Sequence, residues 1–214
     1  MKWAEIYQEI CNNLHINCAR DKEASLLLSS FQPDAEKLLQ LLNHYRNRDF
    51  TVIGPHGGKF YSGNTNIIIV ADSAIDRVQN TPHLIVTDLD GNLHKILDYF
   101  HSGSILCIHA HGDNINQMAS FMPMVGSSFI GTSQVPEEKY LMNIEGFTDG
   151  DRAVIMADRL GAKTIRLDGF NFSEPVEKKN SRDKNLKLKY AEMIIRSVVE
   201  RRTGRTCTII PKFF

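Results

Sequence analysis

The architecture of this chain can be read from the stretch His83-Leu-Ile-Val-Thr-Asp-Leu-Asp-Gly-Asn92. An apolar run too short for a helix breaks abruptly into two acidic residues and a glycine, the pattern of a buried strand that ends in a polar turn. The same grammar recurs outward in both directions. Phe50–Ile53, Asn66–Val70, Ser104–Ile108, Ser128–Ile130 and Thr164–Leu167 are short apolar runs, and most lack polar alternation. Strands of that kind are covered on both faces by helices. Helical spacing fills the intervals at Leu93–Phe100, Ile115–Met122 and Asp151–Leu160. The chain from residue 50 to 214 therefore reads as an α/β domain with a doubly wound, mostly parallel sheet. A long amphipathic helix is predicted over Asn185–Arg202 with Gly204 as its stop, and Thr206–Pro211 is predicted as a last edge strand.

Residues 1–49 read differently. Trp3, Ile6, Ile10 and Leu14 form one apolar stripe, and Ala35, Leu38, Leu39, Leu42 and Tyr45 form another after Pro33-Asp34, with a short helix at Glu23–Phe31 between them. This N-terminal helical segment carries no cluster of chemically active residues.

Five of the apolar runs give way to polar segments carrying Asp, His, Asn or Gly. Ile53 leads into Gly54-Pro-His-Gly57-Gly58-Lys59, Val70 into Ala71-Asp72-Ser73, and Val86 into the Asp88/Asp90 turn. Ile108 leads into His109-Ala-His111-Gly112-Asp113-Asn114, and Leu167 into Asp168-Gly-Phe-Asn171. In an open parallel sheet, ligands bind beyond the carboxyl ends of the strands, so these segments are expected to share one crevice and to make the protein an enzyme. Gly, Asp and Asn are also ordinary turn and cap residues, so it is their recurrence that carries weight. If the strand runs on through Leu89, Asp88 and Asp90 point the same way, and such a pair suits a magnesium ion.

Three motif readings are weaker. D-x-D-G would make Asp88 the nucleophile of a haloacid-dehalogenase-type magnesium phosphatase, yet that motif normally lies on the first strand of its fold, and Asn92 replaces the usual Thr or Val. His109-x-His111-x-Asp113-Asn114 lacks the final histidine of the H-x-H-x-D-H zinc motif, and no histidine occurs downstream of it. Gly54–Lys59 is not a P-loop, because three residues rather than four separate its glycines and Phe60 comes after the lysine. The Thr148-Asp149-Gly-Asp151-Arg152 segment opens a helix, where exposed N–H groups suit an anion or an acidic cap equally.

Composition narrows the partners. Lys plus Arg and Asp plus Glu are 25 each among 214 residues, so the net charge is zero and bulk attraction to nucleic acid or an anionic membrane has no support. A local patch is confined to the basic stretch from Lys178 to Lys189. No apolar run approaches the roughly 18–20 residues of a membrane span. The four scattered cysteines form no C-x-x-C pair, which predicts neither a disulfide framework nor a cysteine zinc site and favours a cytoplasmic location. An exposed edge strand is compatible with a homo-oligomer.

Taken in order, Ile53-Gly-Pro-His-Gly-Gly58, Ala71-Asp-Ser-Ala74, Val86-Thr-Asp-Leu-Asp-Gly91, His109-Ala-His-Gly-Asp-Asn114, Gly146-Phe-Thr-Asp-Gly-Asp-Arg152 and Asp168-Gly-Phe-Asn-Phe172 resemble the archaeal 6-hydroxymethyl-7,8-dihydropterin pyrophosphokinase (MptE-like) family. The catalytic fold of that family looks like that of thiamin pyrophosphokinase. The resemblance implies magnesium-dependent transfer of diphosphate from ATP to a hydroxymethyl-dihydropterin, releasing AMP, with thiamin or a related heterocycle as the nearest alternative acceptor. It implies that Asp88 and Asp90 hold magnesium, with Asp72 and Asp113 as further ligands. Gly54, Gly57 and Gly58, beside Ser73 and Gly112, would approach the nucleotide, and His111 and Asn114 would bond phosphate oxygens. Asp149, Asp151 and Arg152 would border the substrate, and Asp168 or Asn171 would read the polar edge of the pterin.

Overall fold

The apolar runs at residues 50–53, 66–70, 83–86, 104–108 and 164–167 each form a strand in the computed structural model, which describes residues 3–34, 36–61, 63, 66–135, 139–174, 181–202 and 207–209. Ala35, Gly204, residues 178–180 of the basic stretch, and residues 206, 210 and 211 of the predicted last strand lie outside the described residues. The strands are β1 (Asp49–Ile53), β2 (Ile67–Ala71), β3 (Leu84–Thr87), β4 (Ile105–Ala110), β5 (Ile130–Ser133), β6 (Leu141–Asn143), β7 (Thr164–Asp168) and β8 (Cys207–Ile209). They form one sheet in the order β6-β5-β4-β3-β2-β1-β7-β8, and each described pairing is parallel.

The absence of polar alternation has a direct cause: both faces are cores. Phe50, Val52, Ile67, Ile69, Leu84, Val86, Cys107, Ile165 and Leu167 point into one apolar cluster. Their neighbours Ile53, Ile68, Val70, Ile85, Leu106 and Ile108 point into the other. Alternate residues thus face opposite layers, and neither set can be polar. Truncating a side chain such as Ile69, which is fully buried, would cost about 2–5 kcal/mol.

The helices are α1 (Trp3–Leu14), α2 (Ala19–Ser30), α3 (Lys37–Tyr45), α4 (Leu93–His101), α5 (Ile115–Val125), α6 (Asp149–Arg159) and α7 (Ser181–Arg201). A 3₁₀ segment, Asp72–Arg77, continues directly from β2. After β6 the chain reverses, and α6 lies back across β1, β2 and β3, packed against α7. This return sets the N-terminus of α6 among the turns at the ends of β2 and β3. The N-terminal helices pack on the same layers: α2 against β4, β5 and α5, and α1 against α7. Ala24 and Leu28 of α2 belong to one core, and Leu41 and Tyr45 of α3 to the other.

Three sequence expectations are corrected. β5 begins at Ile130 rather than ending there, because Gly131, Thr132 and Ser133 carry no apolar signal although all are buried. A Cβ on Gly131 would meet Leu141 and Pro33 side-chain atoms at 2.5–3.2 Å, so the close approach of β6 needs a residue without one. β6 itself, three half-buried residues, has no counterpart among the predicted strands. Cys11 and Cys18 form a disulfide with a Cα–Cα distance of 6.4 Å, against the expectation of none. His15 takes φ 55°, and the Ile16 N–H returns to the Cys11 carbonyl at 3.0 Å, so the turn between α1 and α2 doubles back and brings the two cysteines together.

Candidate active site

Four carboxylates converge beyond the strand ends: Asp72 from the start of the 3₁₀ segment, Asp88 and Asp90 after β3, and Asp149 in the first turn of α6. One oxygen of each lies within 4.8 Å of the others. Asp88 and Asp90 do not reach the cluster by strand alternation. β3 ends at Thr87, and Leu89 adopts φ 68°, a left-handed conformation that costs on the order of 1–3 kcal/mol for a residue with a side chain. The cost is offset locally. The Leu89 side chain is buried in the core, and its N–H donates to the Thr87 hydroxyl at 2.8 Å. The same hydroxyl donates to Asp72 Oδ2.

Gly91 explains the end of the acidic turn. A Cβ there would stand 1.8 Å from Asp72 Oδ1, so the two turns interlock only because residue 91 has no side chain. Asp72 Oδ1 and Asp88 Oδ1 are both buried without a hydrogen-bond partner. Buried oxygens left unpaired beside two further carboxylates could hold a hard divalent cation.

The electrostatics are those of negative charges held apart from water. Burial pushes Asp72 up to about 6, against the lowering effect of the Thr87 bond. Burial, then the charges of Asp88 and Asp72, push Asp90 up to about 7. Burial and the Asp88 charge likewise raise Asp149 well above the usual carboxylate range. Asp88 goes the other way: burial pushes it upward, but the bond and charge of His111, together with Arg152, outweigh this and hold it low. Without metal, the folded state keeps protons on Asp72 and Asp90 that the unfolded chain has already released near pH 4, so stability falls as pH rises through about 6–7. A bound cation reverses that loss. The rise in melting temperature on adding magnesium to chelated protein is therefore expected to be larger at pH 8 than at pH 5, as read by paired thermal melts.

His111 approaches Asp88 Oδ2 through Nε2 at 3.1 Å, while its Nδ1 accepts the Asp113 N–H at 3.3 Å. With Nδ1 accepting, the ring presents an N–H at Nε2 and donates it to Asp88. Asn114 is a brace. Its amide donates to the Asp88 and His109 carbonyls, each at 2.7 Å, and its oxygen accepts the His111 N–H at 3.1 Å. Both amide hydrogens are thus spent within the protein. Asp113 is exposed and lies outside the carboxylate cluster, where Asp149 is the fourth member instead. The Gly112 N–H donates to Asp21 of α2 at 2.6 Å.

At the start of α6, Thr148 and Asp151 form a capping box. Asp151 Oδ1 accepts the Phe147 N–H at 2.8 Å and Oδ2 the Thr148 N–H at 3.0 Å, so Asp151 caps the helix while Asp149 faces the cluster. Arg152 is buried and donates to Asp149 at 3.3 Å and to the Phe147 carbonyl at 3.2 Å.

The glycine loop is organised by an arginine that no sequence motif singles out. Arg77 donates from Nε to the Gly58 carbonyl at 3.0 Å, from Nη1 to the Gly54 carbonyl and from Nη2 to Asp168 at 2.8 Å. Asp168 is therefore held in a buried ion pair. Gly54 packs against the end of β7: a Cβ would meet the Gly169 carbonyl at 2.7 Å and the Phe170 ring at 2.9 Å. Pro55 and His56, not the glycines, line the adjacent cleft.

That cleft, about 520 Å³, opens beside the carboxylates and has the size of a small-molecule site. Ser73, Asp88, Asp90 and Asp149 form its acidic end. Phe147, Phe170 and Phe172 form apolar walls, with Asn171 between the last two, and Lys184 and Lys187 of α7 stand at its side. The F-x-F spacing after Asp168 was the available signal for the aromatic wall. The lysines fall within the basic stretch that ends at Lys189. A cavity of about 80 Å³ on the far side of Asp88 and His111 is lined by Tyr7, Asp21, Gln134 and Arg152, among others; nothing in the sequence pattern announced the first three.

Comparison with known proteins gives a concordant result. Residues 60–177 match the family described as 6-hydroxymethylpterin diphosphokinase MptE-like. Three curated relatives carry the name 6-hydroxymethyl-7,8-dihydropterin pyrophosphokinase. The protein of Methanothermobacter thermautotrophicus is 30% identical, the match covering 90% of this chain and 92% of that one. Those of Methanocaldococcus jannaschii and Pyrococcus furiosus are 30% and 32% identical, covering 80% and 83% of this chain and 79% and 81% of theirs. No helix of the described residues is long and apolar enough to cross a membrane.

Proposed function

Since the chain belongs to the 6-hydroxymethylpterin diphosphokinase MptE-like family, we propose that it transfers diphosphate from ATP to the hydroxymethyl group of 6-hydroxymethyl-7,8-dihydropterin, with magnesium at Asp72, Asp88, Asp90 and Asp149. The observation that carries this reading is the junction of a four-carboxylate cluster with an aromatic cleft. One end is built for metal-bound phosphates and the other for a flat heterocycle. Held by those four carboxylates, magnesium would supply positive charge to neutralise the phosphate oxygens. The rest falls to the chain. Phe147, Phe170 and Phe172 hold the pterin ring and exclude water around it. Lys184 and Lys187 bring positive groups toward the polyphosphate, His111 holds Asp88 with both ring nitrogens engaged, and Asn171 offers an amide to the polar edge of the ring.

In the reaction the hydroxymethyl oxygen attacks the β-phosphorus of ATP, the bond from that phosphorus to the α,β-bridging oxygen breaks, and AMP departs. The hydroxyl proton is released. Catalysis rests on positioning and charge neutralisation, so no covalent nucleophile is needed. The aspartyl-phosphatase reading of the same letters is set aside, because Asp88 lies after the third strand rather than the first and its Oδ2 is engaged by His111.

Incubating the protein with ATP, magnesium and 6-hydroxymethyl-7,8-dihydropterin is expected to give AMP and the pterin diphosphate in equal amounts. ADP instead would overturn the reading. AMP formed only with a different hydroxymethyl heterocycle would move the acceptor and keep the chemistry. Stacking on an aromatic ring is worth about 1–3 kcal/mol per base, so Phe170→Ala is expected to raise the pterin KM roughly 5- to 150-fold with a smaller effect on kcat. Steady-state kinetics at saturating ATP would check it.

A further inference from the structure

The N-terminal helices contribute a carboxylate that has no part in the proposed reaction. Asp21, in the first turn of α2, is 2% exposed. Burying a charge is costly unless it is fully hydrogen-bonded, and here it is. Oδ1 accepts the Gly112 N–H at 2.6 Å, and Oδ2 accepts Gln134 Nε2 at 2.9 Å and the Tyr7 hydroxyl. Gln134 Nε2 also lies 3.0 Å from the Tyr7 oxygen, which closes the group on itself.

Each of these bonds leads toward the acidic cluster. Gly112 is the residue between His111, which donates to Asp88, and Asp113, whose N–H fixes the His111 ring. The loop cannot be padded with a side chain at this point, because a Cβ on Gly112 would meet Arg20 of α2 at 2.5 Å. On the other side, Gln134 Oε1 faces Arg152 Nη2 at 3.5 Å, and Arg152 Nη1 donates to Asp149 at 3.3 Å. One carboxylate from α2 is thus tied to one carboxylate beyond β3 and another on α6. These tethers engage Asp88 Oδ2 and Asp149 Oδ1 and leave Asp88 Oδ1 without a hydrogen bond.

We propose that Asp21 is a positioning residue for the acidic cluster: through Gly112 and His111 it orients Asp88, and through Gln134 and Arg152 it orients Asp149. The N-terminal helices are then part of the catalytic apparatus. This inference rests on the proposed binding of a divalent cation by the four carboxylates. Groups that orient metal ligands change metal affinity by about 10- to 100-fold when removed, and a residue that merely anchors a helix does not.

The test is a calorimetric titration of the full chain with Mn²⁺ alone, for the wild type, Asp21→Ala and Asp21→Asn, alongside circular dichroism and steady-state kinetics. Asp21→Asn keeps an oxygen for Gly112 but removes the acceptor shared by Tyr7 and Gln134, and it stays close to isosteric should the alanine variant not fold. Expected is Mn²⁺ binding at least tenfold weaker in Asp21→Ala and weakened to a lesser degree in Asp21→Asn. The alanine change should also lower kcat by about one to two orders of magnitude, in keeping with the loss of metal affinity, and leave the pterin KM unchanged. Wild-type Mn²⁺ affinity and kcat in a folded Asp21→Asn protein would overturn the positioning role alone, as would a loss confined to KM. No Mn²⁺ binding by the wild type would overturn the metal reading and the inference with it.

Discussion

Asp88→Asn is expected to lower kcat by about 10²–10³-fold or more and also to lower the melting temperature of the metal-free protein at neutral pH. Two losses coincide. The amide removes a charged ligand whose Oδ1 lies buried and unpaired beside Asp72, Asp90 and Asp149, and it weakens the bond to His111 Nε2. Asp88 is also the one member held below the usual carboxylate range, and its charge helps to raise Asp72, Asp90 and Asp149. Its contacts with His111 and Arg152 favour the ionised form in the fold, so the amide also gives up stability that is present above about pH 4. Near-normal turnover, read with magnesium in excess, would remove Asp88 from the site.

Gly91→Ala should be almost as damaging, though it adds only a methyl group outside any reacting position. The new Cβ would sit 1.8 Å from Asp72 Oδ1, an atom of a side chain that is fully buried. Asp72 must move, taking one carboxylate out of the cluster and breaking its bond from Thr87. We expect a loss of about 10²-fold in kcat and a large rise in the magnesium needed for half-maximal rate. Gly58→Ala is the control. A Cβ there meets nothing within 4 Å, so activity should stay within about twofold, as is usual for surface changes away from special contacts. Equal losses at the two glycines would show that the steric argument at Gly91 is wrong.

These two positions also mark what the sequence could and could not convey. The strands were legible because burial on both faces writes an unbroken apolar run, and their ends were legible because polarity resumes there at once. Asp72, Asp88 and Asp90 were found by that route. Asp149 and Asp151 were both placed at the substrate, but their division of labour depends on where α6 begins. Reading the helix from Asp151 hides that Thr148 is the N-cap, which makes Asp151 a capping residue and leaves Asp149 for the cluster. The T-x-x-D spacing was the missed signal. Asn114 and Asp168 are polar groups at strand ends, as expected, yet they bond within the protein. Their partners, the Asp88 carbonyl and Arg77, are distant in the chain. The same holds more strongly for Asp21 and Gln134, whose meeting depends on tertiary structure alone.

The position of β1 in the sheet has a consequence for how the protein is made. β1 lies between β2, its near neighbour in the chain, and β7, which begins at Thr164; the Asp49–Thr164 hydrogen bond closes a loop of 115 residues. Pairings of such long sequence separation are slow to form. During synthesis, one edge of β1 stays open until β7 has left the ribosome, and the face that α6 covers stays bare until α6 itself has been made. The nascent chain passes through a stage with β1 to β4 available and an exposed apolar face, the kind of species that aggregates or recruits chaperones. Asp149 joins the other carboxylates only once α6 packs over β1, β2 and β3, so the charge cluster is completed after the strands that carry its other three members have been made.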